Sequence, residues 1–168
     1  MRHRKRGSLS IVLFSALVLT SCSTHALGSA TRESTYPYWE KGAGATEAAA
    51  FMKMQIPKGA TDVKGAVQVN PREDEYILSF STGKSTAAQV AKDLHSEEPL
   101  ASWGIKSTQE SELFGHLGLA EPKTLKDALW AGVCPPCAKD DRRRNVAWME
   151  IYIENLDSVQ ARVYLRAF

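Results

Sequence analysis

The chain has 168 residues, 21 lysines and arginines against 19 aspartates and glutamates, and a formal charge of +2. Four of the cations, Arg2, Arg4, Lys5 and Arg6, fall in the first 21 residues, which hold no acid, so residues 22–168 carry 17 basic and 19 acidic side chains. That balance excludes the strongly basic surface of a nucleic-acid binder, and the length fits one ordinary domain with a tail, large enough to bury a core.

Behind the basic start, Leu9–Leu19 is an almost unbroken apolar run, and small residues lead from it to Cys22. That order is the plan of a secretory signal peptide. The run is too short for a helix crossing roughly 30 Å of hydrocarbon, which takes about 20 residues. Its end, Leu19-Thr20-Ser21-Cys22, resembles the lipobox of bacterial lipoproteins. The resemblance implies acyl chains of the palmitate type on Cys22, cleavage just before it, and an exported domain facing the extracytoplasmic side of the cell membrane. Several acyl chains anchor a protein stably, whereas one binds marginally.

Ser23–Gly44 is poor in aliphatic residues and reads as a flexible tether. Within it, Tyr36-Pro37-Tyr38-Trp39 suits either packing on the domain edge or contact with a partner. Thr46–Gln55 reads as a helix capped by Thr46, with Ala48, Phe51, Met52 and Gln55 on one face and Pro57 as its stop. Val63–Val69 and Glu75–Ser81 read as strands joined by the turn residues Asn70–Asp74.

Gly83-Lys84-Ser85-Thr86 looks like the end of a phosphate-binding loop. Such a loop needs a first glycine five residues before Gly83, so that consecutive backbone N–H groups wrap the phosphates. Leu78 stands there, inside a strand, and no nucleotide is expected. Thr86–His95 is the clearest helix, with Ala87, Val90, Ala91 and Leu94 at helical spacing. Glu97–Lys123 is a long irregular stretch, with a short strand expected near Trp103–Ser107 and His116 as the one histidine in a setting that suits a pocket. Thr124–Ala131 fits a third helix burying Leu125, Ala128 and Leu129.

Cys134-Pro135-Pro136-Cys137 follows that expected helix. A redox C-x-x-C sits after a strand and opens a helix, and a zinc site wants two more suitably spaced ligands; an oxidising compartment favours a structural disulfide. Lys139–Arg144 suits anionic lipid head groups or wall polymers, but Asp140 and Asp141 offset its charge, which favours a solvated loop. Finally, Ala147–Ile153 and Val159–Ala167 alternate apolar and polar residues, as in two strands of a hairpin through Asn155–Asp157. A register pairing Ile151 with Ala161 sets Glu150 opposite Arg162 and Trp148 opposite Tyr164. Trp148, Tyr152, Arg162, Tyr164 and Arg166 then share the outer face, an aromatic–arginine composition typical of binding hot spots; the competing reading is that the long stretch or the Tyr36–Trp39 segment covers it.

These elements predict an α+β domain: an antiparallel sheet of four to five strands in two hairpins, with about three helices packed on one face. The expected organisation is a lipoprotein signal peptide at 1–21, lipidated Cys22 and tether at 22–44, and one domain at 45–168. The lipobox, the phrase IPKGATDVKGAV (residues 56–67) and the ending ARVYLRAF (residues 161–168) resemble small actinobacterial lipoproteins without an assigned biochemical function. No catalytic, metal or cofactor constellation is legible. The expected function is a membrane-anchored, non-catalytic binding or accessory module of the cell envelope, with the membrane and an envelope protein as partners and neither nucleotide nor nucleic acid. The alternative is an envelope enzyme or thiol-redox helper using Cys134 and Cys137.

Overall fold

The computed structural model describes residues 35–95, 99–102 and 112–168. The signal segment, Cys22, the first part of the tether and the strand expected at Trp103–Ser107 lie outside the described residues. The chain divides into Met1–Glu33 and a compact unit Ser34–Phe168.

Period-two alternation dominates that unit. Its strands are β1 (Tyr38–Trp39), β2 (Thr61–Val69), β3 (Glu75–Gly83), β4 (Ala101–Ser102), β5 (Leu129–Val133), β6 (Met149–Asn155) and β7 (Gln160–Ala167), with helices α1 (Ala45–Phe51) and α2 (Lys84–Asp93). They form one antiparallel sheet in the order β1-β2-β3-β7-β6-β5-β4. Strands β1–β3 make one meander and β4–β7 a second; the last strand joins them, pairing Phe80 with Val163 and Ile151 with Leu165.

One face of the sheet carries Leu78, Phe80, Ile151, Ile153, Val163 and Leu165 against Ala48 and Met52 of α1 and Ala87 and Ala91 of α2. Phe51 stacks on Tyr76 with centroids 3.8 Å apart. The start of α1 lies directly on β2, where a side chain on Gly65 would come within 2.5 Å of the Ala45 Cα, so only glycine admits the crossing.

Two expectations are corrected. The sheet has seven strands rather than four to five, and the described residues contain two α-helices rather than about three, so the fold is sheet-dominated and not the expected α+β arrangement. Thr124–Ala131 is not a helix: Pro122–Thr124 makes one 3-10 turn, and Leu129–Val133 extends as β5. Leu125, Ala128 and Leu129 fit helical spacing, but Leu129, Ala131 and Val133 also alternate, and the open edge of β6 decides between the two periods by pairing with them. Tyr38 and Trp39 add β1 to the sheet edge, the edge packing that the sequence allowed for that cluster.

The final hairpin also shifts. Ile151 faces Leu165, Glu150 faces Arg166 and Tyr152 faces Tyr164; Ala161 pairs with Asn155 instead of Ile151. Asp157 is the cause. Its carboxylate accepts the N–H groups of Val159 (2.7 Å) and Gln160 (2.8 Å), and Leu156 N–H donates to the Gln160 carbonyl, so the turn is longer than Asn155–Asp157. Val159 belongs to the turn and is 66% exposed, outside the alternation.

Candidate functional site

The sheet has a second face, and the nominated residues lie on it. Tyr152 and Tyr164 are each 1% exposed there, in a separate apolar cluster with Ala66, Ile77, Leu113 and Phe114. The cover is residues 112–125. A 3-10 turn, Phe114–Leu117, is capped by the Glu121 carboxylate, which accepts the N–H groups of Phe114 (2.6 Å) and Gly115 (3.0 Å). Phe114 meets Tyr164 edge-on at 5.2 Å. At the rim, His116 stacks on Trp39 with centroids 3.9 Å apart, and Lys64 Nζ donates to the Leu117 carbonyl at 3.2 Å. His116 is therefore an exposed fastening for the cover.

Beneath the cover the polar atoms are turned on one another. Tyr164 donates to Glu154 at 2.8 Å and Tyr152 to Glu150 at 3.2 Å. Burial first, and then these carboxylates, hold both phenols above their ordinary pKa. Arg166 clasps Glu75 through Nε (2.5 Å) and Nη2 (2.6 Å) and reaches Glu150 at 3.4 Å. Arg162 holds Asp62 at 2.8 Å. Trp148 lies over Gly132, where a Cβ would meet its ring at 2.5 Å. The structure thus brings all five nominated residues to one face, with the two tyrosines under the cover and the two arginines in ion pairs. The long stretch covers the face, as the competing reading has it, through the apolar set Leu113, Phe114, Leu117 and Leu119.

On the helix side, Cys134 and Cys137 are joined, their sulfurs 1.97 Å apart. They follow a strand, β5, rather than the expected helix, and open a hydrogen-bonded turn (Ala138 N–H to Cys134 carbonyl, Asp140 N–H to Pro135 carbonyl) rather than an α-helix. Half of the redox geometry is therefore present, and the helix N-terminus that would lower a thiol pKa is not. Replacing both cysteines by serine costs about 2 kcal/mol, the loop-closure value for so short a ring. Equilibrium unfolding with and without reductant checks it; a cost near zero would leave the bridge without a structural role.

The turn delivers Asp140 and Arg143 to the helices. Arg143 is fully buried, donating through Nε to the Met52 carbonyl (2.8 Å), through Nη1 to Asp140 (2.7 Å) and the Asp93 carbonyl (2.9 Å), and through Nη2 to the Asp93 carboxylate (2.6 Å). Burial pushes the carboxyls of Asp93 and Asp140 up, but the hydrogen bonds and charge of Arg143, helped by Arg142, outweigh it and hold both below the usual range.

Beside this clip lies a groove of about 470 Å³ between the exit of α1 and α2, with Met54, Val90 and Leu94 among its apolar lining and Lys53, Gln89 and Arg142 among its polar lining. Thr86 is part of its lining, and ahead of it β3 stays paired up to Gly83 and leaves no residues to wrap a phosphate. Among the described residues, no three His, Cys, Asp or Glu side chains group as a metal site, and no helix is long and apolar enough to cross a membrane. The chain matches no protein-family profile, no curated protein and no solved structure.

Proposed function

We propose that the chain is an exported lipoprotein, acylated at Cys22, whose domain serves as a non-catalytic binding or accessory module at the cell envelope. The observation that carries the reading is the ordered N-terminus: four cations, a short apolar run, then Leu19-Thr20-Ser21-Cys22. The compact unit beginning at Ser34 supports it, since the attachment residue then lies upstream of the domain. The groove beside α2 is the open concave surface that a ligand would enter. A thiol-redox helper using Cys134 and Cys137 is the second reading; β5 ahead of the motif favours it, and the turn behind it opposes it.

Metabolic labelling with a palmitate analogue in a lipoprotein-producing bacterium tests the anchor. The expected result is a labelled protein in the membrane fraction, and an unlabelled, released Cys22→Ser variant. An unlabelled wild-type chain would sink the lipoprotein reading.

A further inference from the structure

The exposed cations on the helix side are not offset as the sequence implies. Within Lys139–Arg144, Asp140 faces inward: its carboxylate is 5% exposed and is held by Arg143, Arg142 and the Arg142 N–H. Arg143 is buried with it, so one acid and one base leave the surface together. Asp93, the other carboxylate at the clip, is shared between Arg143 (2.6 Å) and Arg142 (3.2 Å). The exposed remainder is Lys139, Arg142 and Arg144 against Asp141 alone.

Two more cations belong to the same side. Lys53 leaves α1 and lines the groove with Arg142, and Lys92 lies in the last turn of α2 beside Asp93. Lys53, Lys92, Lys139 and Arg144 have no ion-pair partner among the described residues. On the opposite face, by contrast, Arg162 and Arg166 are held by Asp62, Glu75 and Glu150. Unpaired positive charge therefore collects on the helix side, where Lys53 and Arg142 line a groove with Met54, Val90, Leu94 and Asp93.

We propose that this basic rim docks the domain on an anionic phospholipid surface, with head-group phosphates against Lys53, Lys92, Lys139 and Arg144. The choice of a lipid surface rests on the lipoprotein reading, because an anchor at Cys22 would hold the domain against the bilayer. Charge complementarity supplies the attraction: each lysine or arginine near an anionic leaflet strengthens binding about fivefold, and the field decays within a Debye length. With four unpaired cations against Asp141, the preference for anionic over neutral bilayers is about a hundredfold.

The test uses the chain from Ser23 onward, which lacks the acylated cysteine and retains all of the compact unit. It is sedimented with vesicles of phosphatidylglycerol and phosphatidylcholine, and with vesicles of phosphatidylcholine alone. Binding is expected to the anionic vesicles, about a hundredfold weaker to the neutral ones, and lost at high salt. Lys139→Gln with Arg144→Gln weakens it about twenty-five-fold; both side chains are exposed, so the fold is retained, which circular dichroism checks. Arg72→Gln, at the β2–β3 turn, leaves it unchanged. Equal binding to both vesicles, or an unaffected double variant, would overturn the proposal. Preference for a soluble poly(glycerol phosphate) over vesicles would overturn the lipid assignment and give the rim to a wall polymer. Because no acyl chain is present, these outcomes do not depend on whether Cys22 is acylated, which the labelling experiment decides separately.

Discussion

Replacing Arg143 by methionine destabilises the domain by about 3 kcal/mol at neutral pH, as removal of one partner from a buried ion pair does. The methionine fills much of the space but leaves the buried Asp140 carboxylate with only the longer Arg142 side-chain contact at 3.5 Å for a cation, the Asp93 carbonyl with only the Arg142 side chain at 3.4 Å, and the Met52 carbonyl without the Arg143 donor. The value sits at the low end because Asp93 is 44% exposed and water screens that half of the clip. Arg142→Met makes the contrast: its side chain is 52% exposed, and its loss costs under about 1 kcal/mol. Urea unfolding of the three proteins measures both.

The same experiment has a pH arm. The carboxyls of Asp93 and Asp140 are depressed in the folded state, so their stabilisation is present above the unfolded value near pH 4 and is lost as the pH falls through the lower folded value. Wild type therefore loses stability on acidification below about pH 4, and the gap between wild type and Arg143→Met narrows there. A variant within about 0.5 kcal/mol of wild type at pH 7, or a gap that does not change with pH, would remove Arg143 from its role as the clip between the loop and both helices.

The clip also shows what a sequence yields and withholds. Helix α2, strands β2 and β3 and the alternation of β6 and β7 were legible, because each carries its own periodicity or turn signal over about seven residues or more. Strand β5 was not, since its five residues satisfy two periods and its partner strand makes the choice. The hairpin register was not, because it depended on which backbone groups Asp157 would cap. In Lys-Asp-Asp-Arg-Arg-Arg the charges were legible and their directions were not. Local pattern cannot distinguish Arg142 from Arg143, and only the approach of Asp93 and Met52, far away in sequence, sends one outward and the other into the core. The aromatic–arginine composition of the hairpin face is legible in the sequence, but a second layer contributed by a distant loop decides whether it meets solvent.

That layer rests on one residue more than any other. Phe114 is 2% exposed, meets Tyr164 edge-on, and begins the only turn that presses an aromatic ring onto this face among the described residues of the cover. Phe114→Ala removes it at a cost of about 3 kcal/mol, the lower range for a buried phenylalanine, since the Leu113 and Leu117 side chains can partly close the gap. The loss should be local before it is global. The long-range bonds that hold the cover down among the described residues include the Trp39–His116 stack, Lys64 to the Leu117 carbonyl and Lys123 to Glu150, all at its rim. Segments fastened in this way open at lower free energy than the strands beneath them. Hydrogen exchange by mass spectrometry should therefore show the amides of Gly118 and Leu119, bonded to the Gly115 and Phe114 carbonyls, exchanging over a hundredfold faster in the variant. Amides of α1 and α2 should follow only the global change. Trp39→Ala, which removes a rim contact worth about 1 kcal/mol, should give the same pattern at smaller amplitude with the fold intact. If the helices lose protection as much as the cover does in both variants, the cover and the sheet are one cooperative unit, and the tyrosine face is core. If the cover alone is freed, Tyr152 and Tyr164 become a surface that opens, and the aromatic–arginine face regains its claim as a place where a partner binds.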